Sequence, residues 1–124
     1  NDGLVFNVAI NYGGRAEITR AARLACKEII NDIGGADAID RKSLLSRLCD
    51  LNEADLSKNM YADIPDPDLV IRTSGEERIS NFLLWQIAYS EFVFAKEYWP
   101  EFTLDVYRRC IEEYKNRQRR FGSR

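Results

Sequence analysis

The stretch DLVIRTSGEERISNFLLWQIAYSEFVF, residues 68–94, decides the fold. Its first five residues form a short, mostly apolar run that predicts a buried β-strand, and the loop RTSG closes this strand. Residues 79–88 are apolar on nearly every side at helical spacing, so we expect a buried helix there. Residues 92–94 predict a second strand. A strand, a helix and a strand in this order indicate a parallel pair joined by a crossover.

The flanking sequence continues this alternation of strands and helices. Residues 4–10, LVFNVAI, predict a further buried strand that ends at the turn NYGG. Apolar positions recur at helical spacing over residues 15–33, 40–49 and 104–119, and each of these segments predicts an amphipathic helix. The polar stretch 52–67 predicts an irregular connection. The expected fold class is therefore α/β, with a mostly parallel sheet flanked by helices.

The composition excludes several kinds of chemistry. The 124 residues contain no histidine, which excludes a Ser-His-Asp or Cys-His relay and histidine-based metal sites within this chain. Three widely spaced cysteines, Cys26, Cys49 and Cys110, fit neither a zinc knuckle nor a disulfide framework and indicate a reducing compartment. The longest apolar runs fall far short of the roughly 20 residues that a membrane span needs. The length by itself suits one domain.

The loop after the strand at residues 68–72 is a candidate anion site. Ligands of open α/β sheets bind beyond the carboxyl ends of the strands. Arg72 ends this strand, and Arg78 and Ser80 follow where the next helix is expected to begin. Two guanidinium groups, a hydroxyl and helix N-terminal N–H groups suit a diphosphate. The alternative is that both arginines form ordinary ion pairs with nearby acids, namely Glu76, Glu77 or Glu91.

Three other features each allow more than one interpretation. The turn NYGGR, residues 11–15, could cradle a phosphate or could be a plain turn from a strand into a helix. Glu91 could ligate a metal ion or form an ion pair. The last ten residues carry five positive charges and no acid. They could form a solvated helix end, a nucleic-acid contact, or an arm that reaches an anion in another subunit.

Taken together, these segments resemble a known family. RTSGE (72–76), RISNFLLWQ (78–86), YSE (89–91) and WP (99–100) closely resemble the C-terminal signature of the cis-prenyltransferases, with the bacterial undecaprenyl diphosphate synthases as the nearest branch. NYGGR and the closing NRQRRFG fit the same family in the same order. The resemblance covers essentially the whole chain.

The resemblance implies only part of the family's domain. Whole enzymes of the family are longer and begin with an Asp-Gly-Asn-Gly-Arg motif, which supplies the metal-binding Asp and the allylic-diphosphate site, and no segment of this chain matches it. We therefore expect residues 1–124 to be the C-terminal part of a single catalytic domain of undecaprenyl diphosphate synthase-like fold, with the N-terminal part absent. No catalytic residue is expected within the chain, and we expect the chain alone to be inactive.

The resemblance also implies an activity. Members of the family use Mg²⁺ to add isopentenyl diphosphate repeatedly to an allylic diphosphate, usually farnesyl diphosphate, with cis double bonds. The product would be a long-chain polyprenyl diphosphate such as undecaprenyl diphosphate, the precursor of the lipid carrier for cell-wall synthesis. We expect a homodimer in the cytoplasm, with peripheral membrane association left open and with a product destined for the membrane.

Site residues follow from the matching positions. Those that correspond to the isopentenyl-diphosphate site are Arg72, Arg78, Ile79 and Ser80. Glu91 matches a Mg²⁺ ligand near the dimer interface, and Glu76 and Asn81 match residues that support the site. The arm that reaches across the dimer corresponds to Arg120 and Gly122.

Two other classes of function compete with this interpretation. A non-catalytic partner subunit of a cis-prenyltransferase complex would keep the closing Arg-x-Gly but would typically lose the arginine-rich segment, which is intact here at residues 72–80. A nucleic-acid-binding module would use the basic tail. The formal net charge of -2 and the absence of aromatic residues interleaved with the basic tail for base stacking argue against it, so no nucleic-acid partner is expected.

Overall fold

The computed structural model of the protein describes residues 3–33 and 40–117, and these divide into two compact units. Unit 1 contains the described residues up to Ile64 together with Asn81–Leu83. Unit 2 contains Pro65–Ser80 and the described residues from Leu84 onward. Within the described ranges, no helix has both the length and the apolar character needed to cross a bilayer.

Unit 1 is built on three helices, which we number α1 (Gly14–Asp32), α2 (Arg41–Cys49) and α3 (Glu53–Ser57). The long helix α1 contacts both of the shorter ones. Its buried positions include Ala21 and Ala25, whose small side chains allow close packing. The predicted helices at residues 15–33 and 40–49 are therefore confirmed.

Side-chain caps explain where the two short helices begin. The Asp40 carboxylate accepts the N–H of Ser43 at 3.0 Å at the start of α2. At the start of α3, the Asn52 side chain accepts the N–H of Ala54, and the Asp55 carboxylate accepts the N–H of Asn52. This reciprocal capping satisfies helix N–H groups that would otherwise be unpaired. The expectation of a wholly irregular stretch at residues 52–67 is thus wrong, because the stretch contains α3.

The predicted buried strand at residues 4–10 does not form. The segment has no strand assignment, and its apolar side chains are exposed, with Leu4 at 96% and Ile10 at 83%. A β-strand needs a neighbour to pair its N–H and C=O groups, and the sheet of the described residues contains only two strands, both in unit 2. The sequence pattern of this segment is that of a strand, but no strand among the described residues pairs with it.

Unit 2 contains a parallel pair of strands and one helix. Strand β1 (Leu69–Arg72) pairs with β2 (Glu91–Phe94), and helix α4 (Leu104–Asn116) contacts β2. A 3₁₀ turn at Trp99–Glu101 precedes α4, and the Thr103 side chain caps the helix. The core is a cluster of small and medium apolar side chains, namely Val93, Ala95, Val106 and Cys110. Both predicted strands, their parallel pairing and the last helix are confirmed.

The predicted buried helix at residues 79–88 is wrong. This part of the crossover is a series of turns, and Ser80, Asn81 and Leu83 have φ angles of 54°, 62° and 44°. A right-handed helix requires negative φ values, so these residues exclude one. A helix that is apolar on every side is stable only when it is enclosed, whereas Ile79 and Phe82 are exposed by 42% and 39% here.

Candidate functional site

Arg72 stands at the carboxyl end of β1, opposite Phe94 in the parallel register. The chain then turns sharply through Ser74 and Gly75, which have φ angles of 66° and 64°. Parallel pairing continues just past the strands, since the Arg72 carbonyl accepts the N–H of Ala95 at 2.7 Å. The backbone that carries the arginine is therefore held by the sheet.

The Arg72 side chain reaches Ser80 across this loop. Its Nη2 lies 3.3 Å from the Ser80 hydroxyl oxygen, so the guanidinium donates a hydrogen bond to the serine. Its Nε is buried and has no hydrogen-bond partner among the described residues. A buried donor without a partner costs about 1–3 kcal/mol, so an arrangement that supplied an acceptor oxygen would be favoured.

Arg78 pairs with Glu76 at the exposed edge of the same loop. Arg78 Nε lies 2.5 Å from a Glu76 carboxylate oxygen. This hydrogen bond is the main cause of a lowered pKa of Glu76, and the charge of Arg72 lowers that pKa further. The ion-pair alternative thus holds for Arg78, while the described residues contain no salt bridge to Arg72 within 4.0 Å.

Asn81 serves helix α1 within unit 1. Its main-chain carbonyl accepts the N–H of Gly14 at 2.7 Å, and its side-chain oxygen accepts the N–H of Arg15 at 2.9 Å. Two N–H groups that could have cradled a phosphate are therefore already occupied. A Cβ on Gly13 would lie 3.1 Å from the Asn81 amide nitrogen, which explains a small residue at that position. The turn NYGGR is thus an entry to a helix.

Glu91 begins β2 and forms an ion pair with the end of α4. Its carboxylate lies 3.2 Å from Arg117 Nη1, and Arg117 Nη2 lies 2.6 Å from the carboxylate of Glu113. The main-chain N–H of Glu91 donates to the Asp68 carbonyl at 2.9 Å. The ion-pair interpretation of Glu91 therefore describes the arrangement seen in this structure.

The residues around Glu91 fit Mg²⁺ only as a partial ligand set. No group of three or more Asp, Glu, His or Cys side chains that could hold a metal ion occurs in residues 3–33 and 40–117. Mg²⁺ is often held by one or two carboxylates together with substrate phosphates, so a single half-buried carboxylate suits that role. Glu91 would need to exchange Arg117 for the ion.

The remaining predicted site residues divide into two groups. Ile79 lies between Arg78 and Ser80 and is 42% exposed, with no polar group beyond its backbone. Arg120 and Gly122 lie outside the described residues. The structure thus places Arg72 with Ser80 and Arg78 with Glu76 on one loop of unit 2, while Asn81 belongs to unit 1 and Glu91 pairs elsewhere in unit 2.

Two polar arrangements were not predicted from the sequence. Glu17 of α1 is only 2% exposed, and its carboxylate accepts hydrogen bonds from the Tyr12 hydroxyl and from the N–H of Tyr61. In unit 2, Arg109 of α4 contacts both carboxylate oxygens of Glu97, at 2.7 and 2.8 Å. No periodic or motif signal connects Glu17 with Tyr61 or Glu97 with Arg109, because these partners lie 44 and 12 positions apart on different segments of the chain.

Comparison with known proteins gives the family. The Prenyltransf family model, described as "Putative undecaprenyl diphosphate synthase", matches residues 1–122. The chain belongs to this prenyltransferase family. The resemblance seen in the sequence is therefore confirmed. The relatives of this chain are prenyltransferases.

Individual relatives agree with the family match. An isoprenyl transferase of Agrobacterium fabrum is 49% identical over 123 residues, which are 99% of this chain and 45% of the relative. An isoprenyl transferase of Listeria monocytogenes is 47% identical over 120 residues, 97% of this chain and 43% of the relative. The chain thus spans less than half the length of these prenyltransferases.

Solved structures of the family have the same fold. The crystal structure of a probable undecaprenyl diphosphate synthase from Campylobacter jejuni matches with a TM-score of 0.68 and 35% identity, over 93% of this chain and 46% of that one. Lavandulyl diphosphate synthase from Lavandula x intermedia, in complex with dimethylallyl diphosphate, matches with a TM-score of 0.67 and 34% identity, over 93% and 45%. The expected α/β class with parallel strands is confirmed.

Proposed function

We propose that the protein is a cis-prenyltransferase and that this chain binds the diphosphate of isopentenyl diphosphate through the loop from Arg72 to Ser80. The observation that carries the proposal is the contact of the Arg72 guanidinium with the Ser80 hydroxyl at the carboxyl end of β1. Family membership supports the reaction class. In the proposed complex, phosphate oxygens accept hydrogen bonds from Arg72, Arg78 and Ser80, because forked guanidinium donors match phosphate geometry.

The second substrate would be an allylic diphosphate such as farnesyl diphosphate, and the product would be a long-chain polyprenyl diphosphate such as undecaprenyl diphosphate. The related lavandulyl diphosphate synthase was crystallised with dimethylallyl diphosphate, which supports an allylic partner. As the allylic diphosphate leaves, positive charge develops on its carbon chain and negative charge on the diphosphate. The loop of Arg72 and Arg78 would hold the other diphosphate, that of isopentenyl diphosphate, so its part would be to bind this substrate and orient its double bond toward the allylic carbon.

Mg²⁺ belongs to the same proposal, with Glu91 as the carboxylate that this chain contributes. When bound, the ion would neutralise diphosphate oxygens and favour departure of the leaving group. Arg117, which pairs with Glu91, would then keep its second partner Glu113. The homodimer, with Arg120 and Gly122 reaching the partner subunit, also remains part of the proposal, as does a cytoplasmic enzyme that delivers its product to the membrane.

Arginine substitutions in the complete protein test the diphosphate site. Arg72→Ala and Arg78→Ala should each raise the KM for isopentenyl diphosphate about ten- to hundred-fold, the loss expected for a hydrogen bond between charged groups. Arg108→Ala is the control, because Arg108 is about as exposed as Arg78, 68% against 71%, and pairs with Asp105 on α4. Unchanged kinetics after replacement of both Arg72 and Arg78 would contradict the proposed site, whereas a complete wild-type protein with no activity of its own would favour a non-catalytic partner subunit.

Two substitutions of Ser80 distinguish the contribution of its hydroxyl to binding from the effect of its backbone conformation. Ser80 has a φ of 54°, which glycine adopts freely and alanine does not. Ser80→Ala and Ser80→Gly both remove the hydroxyl, whereas only Ser80→Ala keeps the backbone strain. If the hydroxyl binds the diphosphate, both variants should raise the KM for isopentenyl diphosphate by about three- to tenfold. A normal KM in Ser80→Gly would exclude that role.

The chain alone should not elongate an allylic diphosphate, because no segment of it matches the family motif that supplies the catalytic Asp. Purified residues 1–124 can be incubated with isopentenyl diphosphate, farnesyl diphosphate and Mg²⁺, and the products separated by chain length. Chain elongation at a rate comparable to that of the complete protein would contradict this expectation.

A further inference from the structure

The turn after Arg72 is held by two residues that follow β2, Ala95 and Glu97. The Ser74 N–H donates to the Glu97 carbonyl at 2.7 Å, and the Gly75 N–H donates to the Ala95 carbonyl at 2.9 Å. Two successive residues with positive φ are unfavourable where one of them, Ser74, carries a Cβ. The turn therefore depends on these main-chain acceptors for its conformation.

The acceptor for Ser74 is fixed by an ion pair. The Glu97 side chain is 27% exposed, and Arg109 Nη2 lies 2.7 and 2.8 Å from its two carboxylate oxygens. This contact is the main cause of a lowered pKa of Glu97. The Glu97 carbonyl therefore fixes the turn, while the Glu97 carboxylate is fixed by Arg109 of α4.

Helix α4 offers a rigid attachment for this ion pair. Cys110, the neighbour of Arg109, is 2% exposed and belongs to the core cluster with Val93 and Ala95. Arg109 therefore projects from a segment whose backbone is packed against β2. The contacts form a continuous path within unit 2, from the core through Arg109 and Glu97 to Ser74, two residues from Arg72.

We propose that the Glu97–Arg109 ion pair is a positioning device for the turn that sets Arg72 and Arg78 against the diphosphate. The proposal rests on the proposed isopentenyl-diphosphate site. Neither residue touches the substrate in this arrangement. Loss of the pair loosens the Glu97 backbone and lets the turn sample other conformations, so the two arginines bind the diphosphate less tightly. The chemical step, once substrate is bound, is unaffected.

The test uses Glu97→Ala, Arg109→Ala and the double variant in the complete protein, with isopentenyl diphosphate as the probe. Each variant should raise the Kd for isopentenyl diphosphate about two- to fivefold, the range for an exposed ion pair, and leave kcat at saturation unchanged. The double variant should be no worse than either single one, because both remove the same interaction. Arg109→Lys should restore part of the affinity.

A second measurement follows the turn itself. Amide hydrogen exchange at Ser74 should be faster in Arg109→Ala and Glu97→Ala, since its acceptor is less well held. Arg108→Ala is the matched control, because Arg108 is the adjacent, similarly exposed arginine of α4 and pairs with Asp105 at 3.4 Å. That variant should change neither the exchange nor the Kd.

The outcomes separate this inference from the function on which it rests. An unchanged Kd in Arg109→Ala, together with a raised Kd in Arg72→Ala, would overturn the positioning role and leave the diphosphate site intact. A lowered thermal stability with no change in Kd would likewise make the pair merely structural. If Arg72→Ala itself leaves the Kd unchanged, the proposed function fails, whatever the result at Arg109.

Discussion

The main-chain carbonyl of Asn81 accepts a hydrogen bond from the N–H of Gly14 over 2.7 Å. The side chain of the same asparagine accepts the N–H of Arg15, 66 positions away in sequence. Gly13, which occupies the N-cap position of α1, provides no side-chain bond. Asn81 therefore caps the N-terminus of α1, although it lies far from that helix in sequence. Its φ is 62°, a conformation that asparagine tolerates better than most residues.

This arrangement predicts different costs for two substitutions of Asn81. Asn81→Gly removes the side-chain acceptor but tolerates the positive φ, so it should lower the free energy of unfolding by about 1 kcal/mol. Asn81→Ala removes the same acceptor and also places a Cβ in the left-handed region, so it should cost about 2–3 kcal/mol. Urea unfolding of the complete protein measures both values. Equal losses would show that the backbone conformation contributes nothing, and no loss in either variant would refute the cap.

The buried Glu17 carboxylate predicts a second contrast, between two tyrosines. Tyr12→Phe removes the hydroxyl that donates to this carboxylate and should lower the free energy of unfolding by roughly 1.5–3 kcal/mol, the range for hydrogen bonds to charged groups. Tyr61→Phe is the control, because Tyr61 donates to Glu17 through its main-chain N–H and keeps that bond. Denaturant unfolding at neutral pH distinguishes them, and similar losses in both variants would contradict the assignment.

The same contact has a consequence at alkaline pH. Burial and the hydrogen bond to Glu17 raise the pKa of Tyr12 above its ordinary value of 10. Because the folded pKa is the higher one, the stabilisation is fully present below about pH 10 and is lost as the pH rises through the folded value. An absorbance titration of tyrosinate should therefore show one tyrosine that ionises late in the wild type. That late step should be missing in Tyr12→Phe.

Elements with local signals were predictable from the sequence. Helix α1 was expected at residues 15–33 and spans Gly14–Asp32, and α2 and α4 begin beside the capping residues Asp40 and Thr103. The spacing of apolar residues and the capping of helix ends depend only on residues near each other in sequence. They can therefore be recognised without knowledge of the rest of the fold. The strands β1 and β2 were recognisable in the same way, as short apolar runs bounded by turn residues.

The segments at residues 4–10 and 79–88 could not be predicted because their structure depends on what lies beside them. An apolar run becomes a strand only when another strand pairs with it, and an all-apolar helix forms only when it is enclosed. The candidate site likewise has one part that was predictable from the sequence and one part that was not. The loop that carries Arg72 and Ser80 was visible in one stretch, whereas the pairing of Glu91 with Arg117 needs the tertiary structure.

Bound diphosphate should be detectable through the pKa of Glu76. The hydrogen bond from Arg78 lowers this pKa from its ordinary value of 4.5, so the pair is present above about pH 4.5 and is lost as the pH falls through the folded value. A diphosphate that recruits Arg78 would weaken the bond, and the pKa of Glu76 should then rise toward 4.5. Carboxyl NMR titration with and without isopentenyl diphosphate measures the change. The pKa of Glu28, which Lys58 lowers in unit 1, serves as the internal control and should stay fixed.

The role proposed for Glu91 predicts a change in the Mg²⁺ requirement. Glu91→Gln keeps the shape of the side chain but removes the charged oxygens that the ion prefers, so the Mg²⁺ concentration for half-maximal activity should rise about tenfold or more. Glu113→Gln is the matched comparison, because Glu113 is the other partner of Arg117 and any effect that passes through Arg117 appears in this variant as well, so its shift should be much smaller than that of Glu91→Gln. Calorimetric titration of Mg²⁺ in the presence of isopentenyl diphosphate measures the same difference without turnover. An equal shift in both variants would show that the effect passes through Arg117, and Glu91 would then be an ion-pair residue that does not bind the metal.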